Sequence, residues 1–435
     1  MASFSSKVGL IMAAAGSAVG LGNIWKFPYI AGENGGGAFL IVYLCCVALF
    51  GLPLVMTEFL IGKRSGQTTY GAFRKLNGDG KWNWLSWLSM LTAFIIMGFY
   101  FVVTGWCFTY LIEALTSQLN GLGTEELTAH FQEVVSHKWQ MLIYGILPVI
   151  LTAAVLWMDV NKGIERLSKI LMPLLLILML LMAGRVLMLD GSNVGMRFFF
   201  QTDFSKITPT VILEAMGQCF FSLSIGMGAL ITYGAYMPKG QNVTRTSIQV
   251  VLLDTVVAIL AGIIIFPAVF AFGFDPAEGP QLVFVVLPAI LAQMSFTWLS
   301  SVLFFGLLCI AALTSTISLM EVVVAFVCEA SKGKLSRHQG VLLVSAILLG
   351  LIALCIFFPT VFTYSDTLTA CFMMPIGALG MAIFVGWNLP KNNEKGVLEA
   401  DKGIKHRARH LYLFVLRWLV PIAIILIFLN SLGLL

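Results

Sequence analysis

The chain has 435 residues, 59% of them hydrophobic and 11% charged, with a mean hydropathy of +0.93 and a net charge of +5. Soluble domains carry about 25% charged residues, and no stretch here is long and polar enough to form one, which excludes a water-soluble enzyme. The basic residues sit in short loops between apolar runs, with no basic stripe interleaved with aromatics, which excludes a nucleic-acid interface.

About 20 apolar residues cross about 30 Å of hydrocarbon, and by that measure the sequence predicts eleven spans. The N-terminal MASFSSKVGL has no cleavable signal pattern and leads into span 1 (8–31), whose centre carries Gly16, Gly20 and Gly22. Span 2 covers 37–62 and contains Glu58; span 3 covers 84–116, span 4 140–158 and span 5 166–189. Span 6 (208–236) contains FFSLSIGMGALITY, with Ser222, Ser224, Gly226 and Gly228, and span 7 (246–273) contains Asp254. The segment GFDPAEGPQLVFVVLPAILAQM is too broken by Pro and Gly to cross and reads as an outer loop with a short helix. Span 8 (297–329) carries Thr314, Ser315 and Thr316, and spans 9, 10 and 11 cover 339–358, 364–388 and 411–433.

With the N-terminus in the cytoplasm, twenty-one Lys and Arg lie inside, against Lys26, Lys138, Arg185, Arg197 and Lys206 outside. That asymmetry fixes the orientation and leaves the C-terminus outside. The eight cysteines (Cys45, Cys46, Cys107, Cys219, Cys309, Cys328, Cys355, Cys371) fall in apolar segments with no CxxC pair, and read as small buried hydrophobes. No Ser/His/Asp, Cys/His or paired-carboxylate set lies among the spans, so the chain reads as no enzyme.

Spans 1 and 6 are poor helices at their centres. Each interior Gly costs about 1 kcal/mol relative to Ala, and small residues also mark close helix packing. The two weak centres lie nearly half a chain apart, with five spans between their starts. Five is odd, so the second half enters the membrane inverted. Paired interrupted helices in two inverted halves point to a secondary transporter. The halves are 1–200 (spans 1–5) and 201–390 (spans 6–10), followed by a basic loop and span 11 in 391–435.

A break in mid-membrane exposes N–H groups that suit a carboxylate, and carbonyls that suit a sodium ion or an ammonium. Asn23, Ser222, Ser224, Asp254 and the Thr314–Thr316 run add oxygen donors, which suit hard cations rather than transition metals. An acid inside the membrane marks a functional site.

The motifs GSAVGLGNIWKFPYIAGENGGGAF, GLPLVMTEFLIGKRSG, GQCFFSLSIGMGALITYGAY and AALTSTISLME resemble the neurotransmitter:sodium symporter family of the bacterial LeuT type. Met227, Asp254, the eleven spans and the Gly163-x9-Pro173 spacing are most similar to its multi-hydrophobic amino-acid transporters. The resemblance implies an all-α polytopic membrane protein with a 5+5 inverted repeat, broken helices 1 and 6 and an eleventh span. It implies one sodium site from the carbonyls of Ala18 and Ser222, the side chains of Asn23, Asp254 and Ser222, and the substrate carboxylate. A second would use the carbonyls of Gly16, Val19 and Ala311 with the hydroxyls of Thr314 and Ser315.

By the same resemblance, the substrate carboxylate meets the N–H groups of Leu21 and Gly22 and the Tyr100 hydroxyl. The amine faces the carbonyls of Ala18, Phe221 and Ser222, near Ser224. Ile96, Tyr100, Phe221, Met227, Ser315 and Leu319 line the side-chain pocket. Relatives that carry monoamines place an Asp at the position of Gly20, so Gly implies an amino acid that brings its own carboxylate. The softer Met227 wall fits hydrophobic and aromatic L-amino acids.

Lys26 and Asp366 match the outer ion pair, with Phe221 as the lid. Inside, Phe4 stands where the family has Trp, the partner Arg would fall at Met1, and Glu329 takes the acidic position in span 8. Gly163-x9-Pro173 implies that span 5 unwinds to release sodium inward. Tyr43, Gln218 and Ser222 resemble a chloride pocket, but Ala258 replaces its Ser and Asp254 brings a fixed negative charge, so chloride independence is expected. Glu58 is expected to support the unwound part of span 6. The implied partners are an L-amino acid and membrane lipid, in a bacterial inner membrane. A sodium-dependent sensor or channel on the same scaffold is the alternative.

Overall fold

The computed structural model describes residues 3–78, 80–276, 282–294, 296–389 and 406–431, and all their regular structure is helical. Among these residues, nine helices are long and apolar enough to cross a bilayer. They are Gly37–Ser65, Asn83–Leu115, Lys138–Trp157, Asn161–Leu187, Val243–Ala271, Thr297–Ala330, Arg337–Phe357, Pro359–Asn388 and Arg409–Leu429, corresponding to spans 2, 3, 4, 5, 7, 8, 9, 10 and 11. Span 1 is a bent pair, Lys7–Ala18 and Gly22–Glu33, meeting at 48°. Span 6 is Pro209–Ser222 and Ala229–Ala235, interrupted over 223–228. The predicted outer loop carries the short buried helix Leu282–Gln293.

Helix starts follow from capping. The Ser6 hydroxyl accepts the Gly9 N–H at 3.1 Å, and the Asn242 side chain accepts the Arg245 N–H at 2.8 Å. Ser336 and Gln339 exchange bonds in a capping box at span 9. Two starts depart from the sequence reading. Span 10 begins at Pro359 rather than 364, because Pro suits a first helical turn, while Thr360, Thr363 and Asp366 dilute the apolar signal there. Span 5 begins with a π-helical turn, Asn161–Glu165, whose polar residues hide it from a hydropathy reading. Glu165 is buried and satisfied by distant donors, the Ser5 N–H at 2.6 Å and the Ser5 and Ser6 hydroxyls at 2.8 and 2.7 Å, and by Lys169 Nζ one turn along its own helix at 2.6 Å. The N-terminal segment is thereby tied to span 5.

The two breaks have different causes. In span 1, Val19 turns to extended backbone (φ −69°, ψ 109°) and the helix resumes two residues later. In span 6, Ser224, Gly226 and Gly228 all have positive φ, at 55°, 96° and 80°. A Cβ on Gly226 would also lie 2.4 Å from the Met374 carbonyl oxygen of span 10, so no other residue fits. Glu58 of span 2 accepts the Gly226 N–H at 2.7 Å, the support expected of it.

The second half of span 6, Ala229–Ala235, lies against span 2. Their backbones approach closely, since a Cβ on Gly62 would sit 1.9 Å from the Ile231 carbonyl oxygen. Span 8 packs along span 3, and the first half of span 1, Lys7–Ala18, is held between spans 5, 7 and 8. Both breaks thus face the middle of the bundle.

Candidate functional site

The first oxygen cluster joins spans 1, 6 and 7. Asn23 Nδ2 donates to Ser222 Oγ at 2.9 Å and to Asp254 Oδ1 at 2.8 Å, and Ser222 Oγ donates to Asp254 Oδ2 at 2.8 Å. Asn23 Oδ1 accepts the Gly20 N–H at 3.2 Å across the break. Asn23, Ser222 and Asp254 are all at most 1% exposed, so the Asp254 carboxylate sits where an unpaired charge is expensive. Polar neighbours with oxygen atoms suit a hard cation as its counter-charge.

The second cluster joins span 1 to span 8. Ser315 Oγ lies 3.3 Å from the Val19 carbonyl oxygen and 3.5 Å from that of Gly16. Thr314 Oγ1 lies 3.0 Å from the Ala311 carbonyl oxygen, and the Cβ position of Gly16 falls 3.2 Å from Thr314 Cβ. Five predicted residues therefore converge, each supplying a carbonyl or hydroxyl oxygen. Thr314 and Thr316 bond back to carbonyls of their own helix, Ala311 and Leu313, whereas the Ser315 hydroxyl reaches across to span 1.

Between the clusters lies a cavity lined by Ala18, Gly20, Gly22, Ile96, Tyr100, Phe221, Ser224, Met227, Ser315 and Leu319, together with Ser17. Leu21 and Ser222 do not line it. The Leu21 N–H donates to the Tyr100 hydroxyl at 3.1 Å, and Ser222 is turned to Asp254. Ser17 is absent from the sequence reading because it contributes main chain: its carbonyl accepts the Ser224 hydroxyl at 2.9 Å. Ser224 is placed for this by its left-handed backbone. A Cβ on Gly20 would fall 2.3 Å from Ser315 Oγ and 2.7 Å from Tyr100 Oη, so the cavity has no room for a side chain there.

Phe221 stands over the cavity with Lys26 Nζ 4.3 Å from its ring centroid, a cation–π contact. Lys26 Nζ also lies 3.8 Å from Asp366 Oδ1. Spans 1, 6 and 10 meet through these three residues. Beside the first cluster, the Tyr43 hydroxyl lies 3.3 Å from Ser222 Oγ and Gln218 Nε2 donates to the Gly22 carbonyl at 2.7 Å. Ala258, one helical turn after Asp254, adds no polar group to this corner.

At the opposite end, Phe4 is buried edge-on to Tyr233 and Tyr236, with ring centroids 5.7 and 6.3 Å apart. Met1 lies outside the described residues. Glu329 bonds the Thr68 N–H at 3.0 Å and the Thr68 hydroxyl. The ion pair at this end is one the sequence reading missed: Arg337 of span 9 grips the buried Glu321 of span 8 with two nitrogens, at 3.1 and 2.7 Å. Tyr236 of span 6 donates its hydroxyl to Glu321 Oε1 at 2.8 Å, and Arg337 Nε donates to the Leu156 carbonyl at 3.0 Å. An acid within span 8 was the available signal. Its partner, at a helix start, is set by packing alone. Span 5 is helical through Pro173, and its Gly163 lies hard against span 4, where a Cβ would meet the Val155 carbonyl oxygen at 2.1 Å.

The profile of the Sodium:neurotransmitter symporter family matches residues 2–125 and 122–434. The chain belongs to this family. It is 37% identical to the uncharacterized sodium-dependent transporter YhdH of Bacillus subtilis (strain 168), over 99% of this chain and 98% of that one. It is 34% identical to an uncharacterized sodium-dependent transporter of Haemophilus influenzae, with the same coverage. The crystal structure of MhsT in complex with L-phenylalanine superposes with a TM-score of 0.90 at 38% identity, covering 99% of this chain and 100% of that one. This family member is a sodium-dependent, multi-pass membrane transporter of a small molecule, and no enzyme. Its fold is the LeuT-like inverted repeat with broken spans 1 and 6.

Proposed function

We propose that the chain imports hydrophobic and aromatic L-amino acids with sodium by alternating access. The observation that carries this reading is the crowding at Gly20. With Ser315 Oγ and Tyr100 Oη so close to its Cβ position, the protein supplies no carboxylate of its own there, and the substrate must bring one. The N–H of Gly22 beside the break, and the Tyr100 hydroxyl, would receive that carboxylate. The Ala18, Phe221 and Ser222 carbonyls would receive the amine. Ile96, Phe221, Met227 and Leu319 form an apolar wall without fixed charge, and flexible Met227 adapts to side chains of different size. MhsT, bound to L-phenylalanine, is consistent with that choice.

One sodium ion would sit with Asn23, Ser222, Asp254 and the Ala18 carbonyl, completed by the substrate carboxylate. A second would sit with Gly16, Val19, Ala311, Thr314 and Ser315. Two such ions crossing 100 mV down a tenfold gradient supply roughly 7 kcal/mol, on the order of 10^5-fold accumulation. Lys26, Asp366 and Phe221 would close the outer path. The charge asymmetry of the loops supports an N-terminus in the cytoplasm and a C-terminus outside, on this reading in a bacterial inner membrane.

The test is uptake of twenty amino acids into proteoliposomes with an imposed sodium gradient, repeated with potassium. Sodium-dependent accumulation of Phe, Leu and their apolar neighbours is expected. Binding without accumulation would make the chain a sensor or channel instead, and accumulation of polar amino acids alone would overturn the pocket assignment. Replacing chloride by gluconate is expected to leave uptake unchanged, because Asp254 supplies the negative charge in that corner; a marked loss would refute chloride independence.

A further inference from the structure

Span 11 carries an arginine inside its apolar run. Arg417 comes eight residues after Arg409, where the span begins, which is about 12 Å along the helix axis. It lies level with the last turn of span 10: its Nε donates to the Gly386 carbonyl at 2.6 Å. Glycine admits this approach, since a Cβ at 386 would fall 3.2 Å from Arg417 Cγ. That carbonyl needs an outside donor, because the residue four positions on is Pro390, which has no N–H. Capping span 10 therefore occupies one guanidinium nitrogen and leaves two.

Those two, Nη1 and Nη2, are neither buried nor hydrogen-bonded among the described residues, although the side chain as a whole is half-buried. Among the same residues no carboxylate lies within ion-pair distance of the guanidinium. An arginine at this depth is costly unless an anion meets it. The next residue on each helix is a tryptophan: Trp387 and Trp418 are both exposed and meet edge-on at 5.4 Å. Ile422 and Ile425 continue the stripe of Trp418 at helical spacing, and both are exposed. Tryptophan marks the level at which hydrocarbon gives way to headgroup. This face thus runs from an apolar stripe to an aromatic pair with an unneutralised guanidinium beside it, the order in which a lipid presents acyl chain, glycerol and phosphate.

We infer that this face holds one phospholipid, its phosphodiester on Nη1 and Nη2 of Arg417 and an acyl chain along Trp418, Ile422 and Ile425. The planar guanidinium offers paired donors that match two phosphate oxygens, a geometry lysine lacks. The pairing is to the phosphodiester itself, so a zwitterionic phospholipid serves as well as an anionic one. The binding claim does not depend on the transport reading.

The test is native mass spectrometry of the purified, delipidated full chain, titrated with phosphatidylethanolamine, phosphatidylglycerol or a galactosyl diacylglycerol with the same acyl chains. Both phospholipids are expected to bind at about tenfold lower concentration than the phosphate-free lipid. Arg417→Gln should erase that preference, and Arg417→Lys should lower it without erasing it. A purely structural role in capping span 10 would lower the melting temperature of both variants and leave the preference between lipids unchanged. Inorganic phosphate at millimolar concentration should not displace the lipid. Equal binding of the three lipids, an unchanged preference in either variant, or displacement by inorganic phosphate would each overturn the inference. If Arg417→Gln does not fold, the wild-type comparison and Arg417→Lys decide it.

Discussion

Gly20 carries more of the functional argument than any charged side chain. In Gly20→Ala the new Cβ meets Ser315 Oγ and Tyr100 Oη within 2.7 Å. Overpacking of this kind costs about 1–3 kcal/mol, so substrate affinity should fall about tenfold or more while the protein still purifies as a folded species. Unchanged affinity for L-phenylalanine, measured by equilibrium binding, would place the substrate elsewhere. A second residue sets a pH dependence away from the site. His130, on the helix Thr124–Ser136 that follows span 3, bonds Glu113 at the end of that span through Nε2 at 2.9 Å. This hydrogen bond, more than the charges of Glu113 and Glu133, raises the His130 pKa above its ordinary 6.5. The folded-state value being the higher, the contribution to stability is fully present below 6.5 and is lost as pH rises through the raised value. Thermal melts of the wild type should therefore decline as pH increases above 6.5, more steeply than those of His130→Gln. Parallel curves would exclude the pair as the cause.

At the scale of elements, the interrupted spans explain why composition alone was insufficient and pattern was enough. Gly16, Gly20 and Gly22 in span 1, and Ser224, Gly226 and Gly228 in span 6, mark both breaks directly, because local helix propensity and the breaks agree. The clustering of Asn23, Ser222 and Asp254 was legible for the same reason: oxygen donors beside a break have few alternatives in hydrocarbon. From residue types alone, main-chain contributions such as the Ser17 carbonyl were not legible, since every residue has a carbonyl and only the fold selects which one faces the cavity; the carbonyls named for Gly16, Ala18, Val19 and Ala311 came from the family resemblance. The π turn of span 5 was hidden because its buried Glu165 is satisfied by Ser5 and Ser6, about 160 positions away, while Asn161 and Lys162 stay exposed. The break in span 6 yields a sharp prediction. Gly226→Ala combines φ +96° with a Cβ 2.4 Å from the Met374 carbonyl oxygen. Left-handed backbone alone costs about 1–2 kcal/mol, and the clash against backbone adds to it. The variant should melt markedly lower or fail to accumulate, whereas Gly217→Ala, with open space around its Cβ position and a helical backbone, should match the wild type. Equal stability of the two variants would mean that the break is not held as described.

For the whole molecule, two closures at opposite ends use different chemistry. The one proposed as outer, Lys26 with Asp366 and Phe221, is partly solvated: Asp366 is 41% exposed and the ion pair is 3.8 Å long, which makes it weak and easily opened. The inner one buries Glu321 completely and satisfies it three times, from span 9 by Arg337 and from span 6 by Tyr236. Tyr236 also accepts the Phe4 N–H at 3.0 Å, so one carboxylate ties the N-terminal segment, span 6, span 8 and span 9 together. On the alternating-access reading proposed above, this knot loosens while the outer contact forms. Removing one partner of a buried pair leaves an uncompensated charge and costs about 3–5 kcal/mol; removing both costs much less. Arg337→Gln should therefore lower the melting temperature sharply and shift the protein toward open inner-end conformations, read as faster thiol labelling of the half-buried Cys328 beside Arg337. Adding Glu321→Gln should restore most of the stability without restoring the closed inner end, because the neutral amides no longer hold spans 8 and 9 through a charge. Additive losses in the double variant would show that the two side chains act independently, and the inner closure would then have to be assigned to Phe4 and its aromatic neighbours.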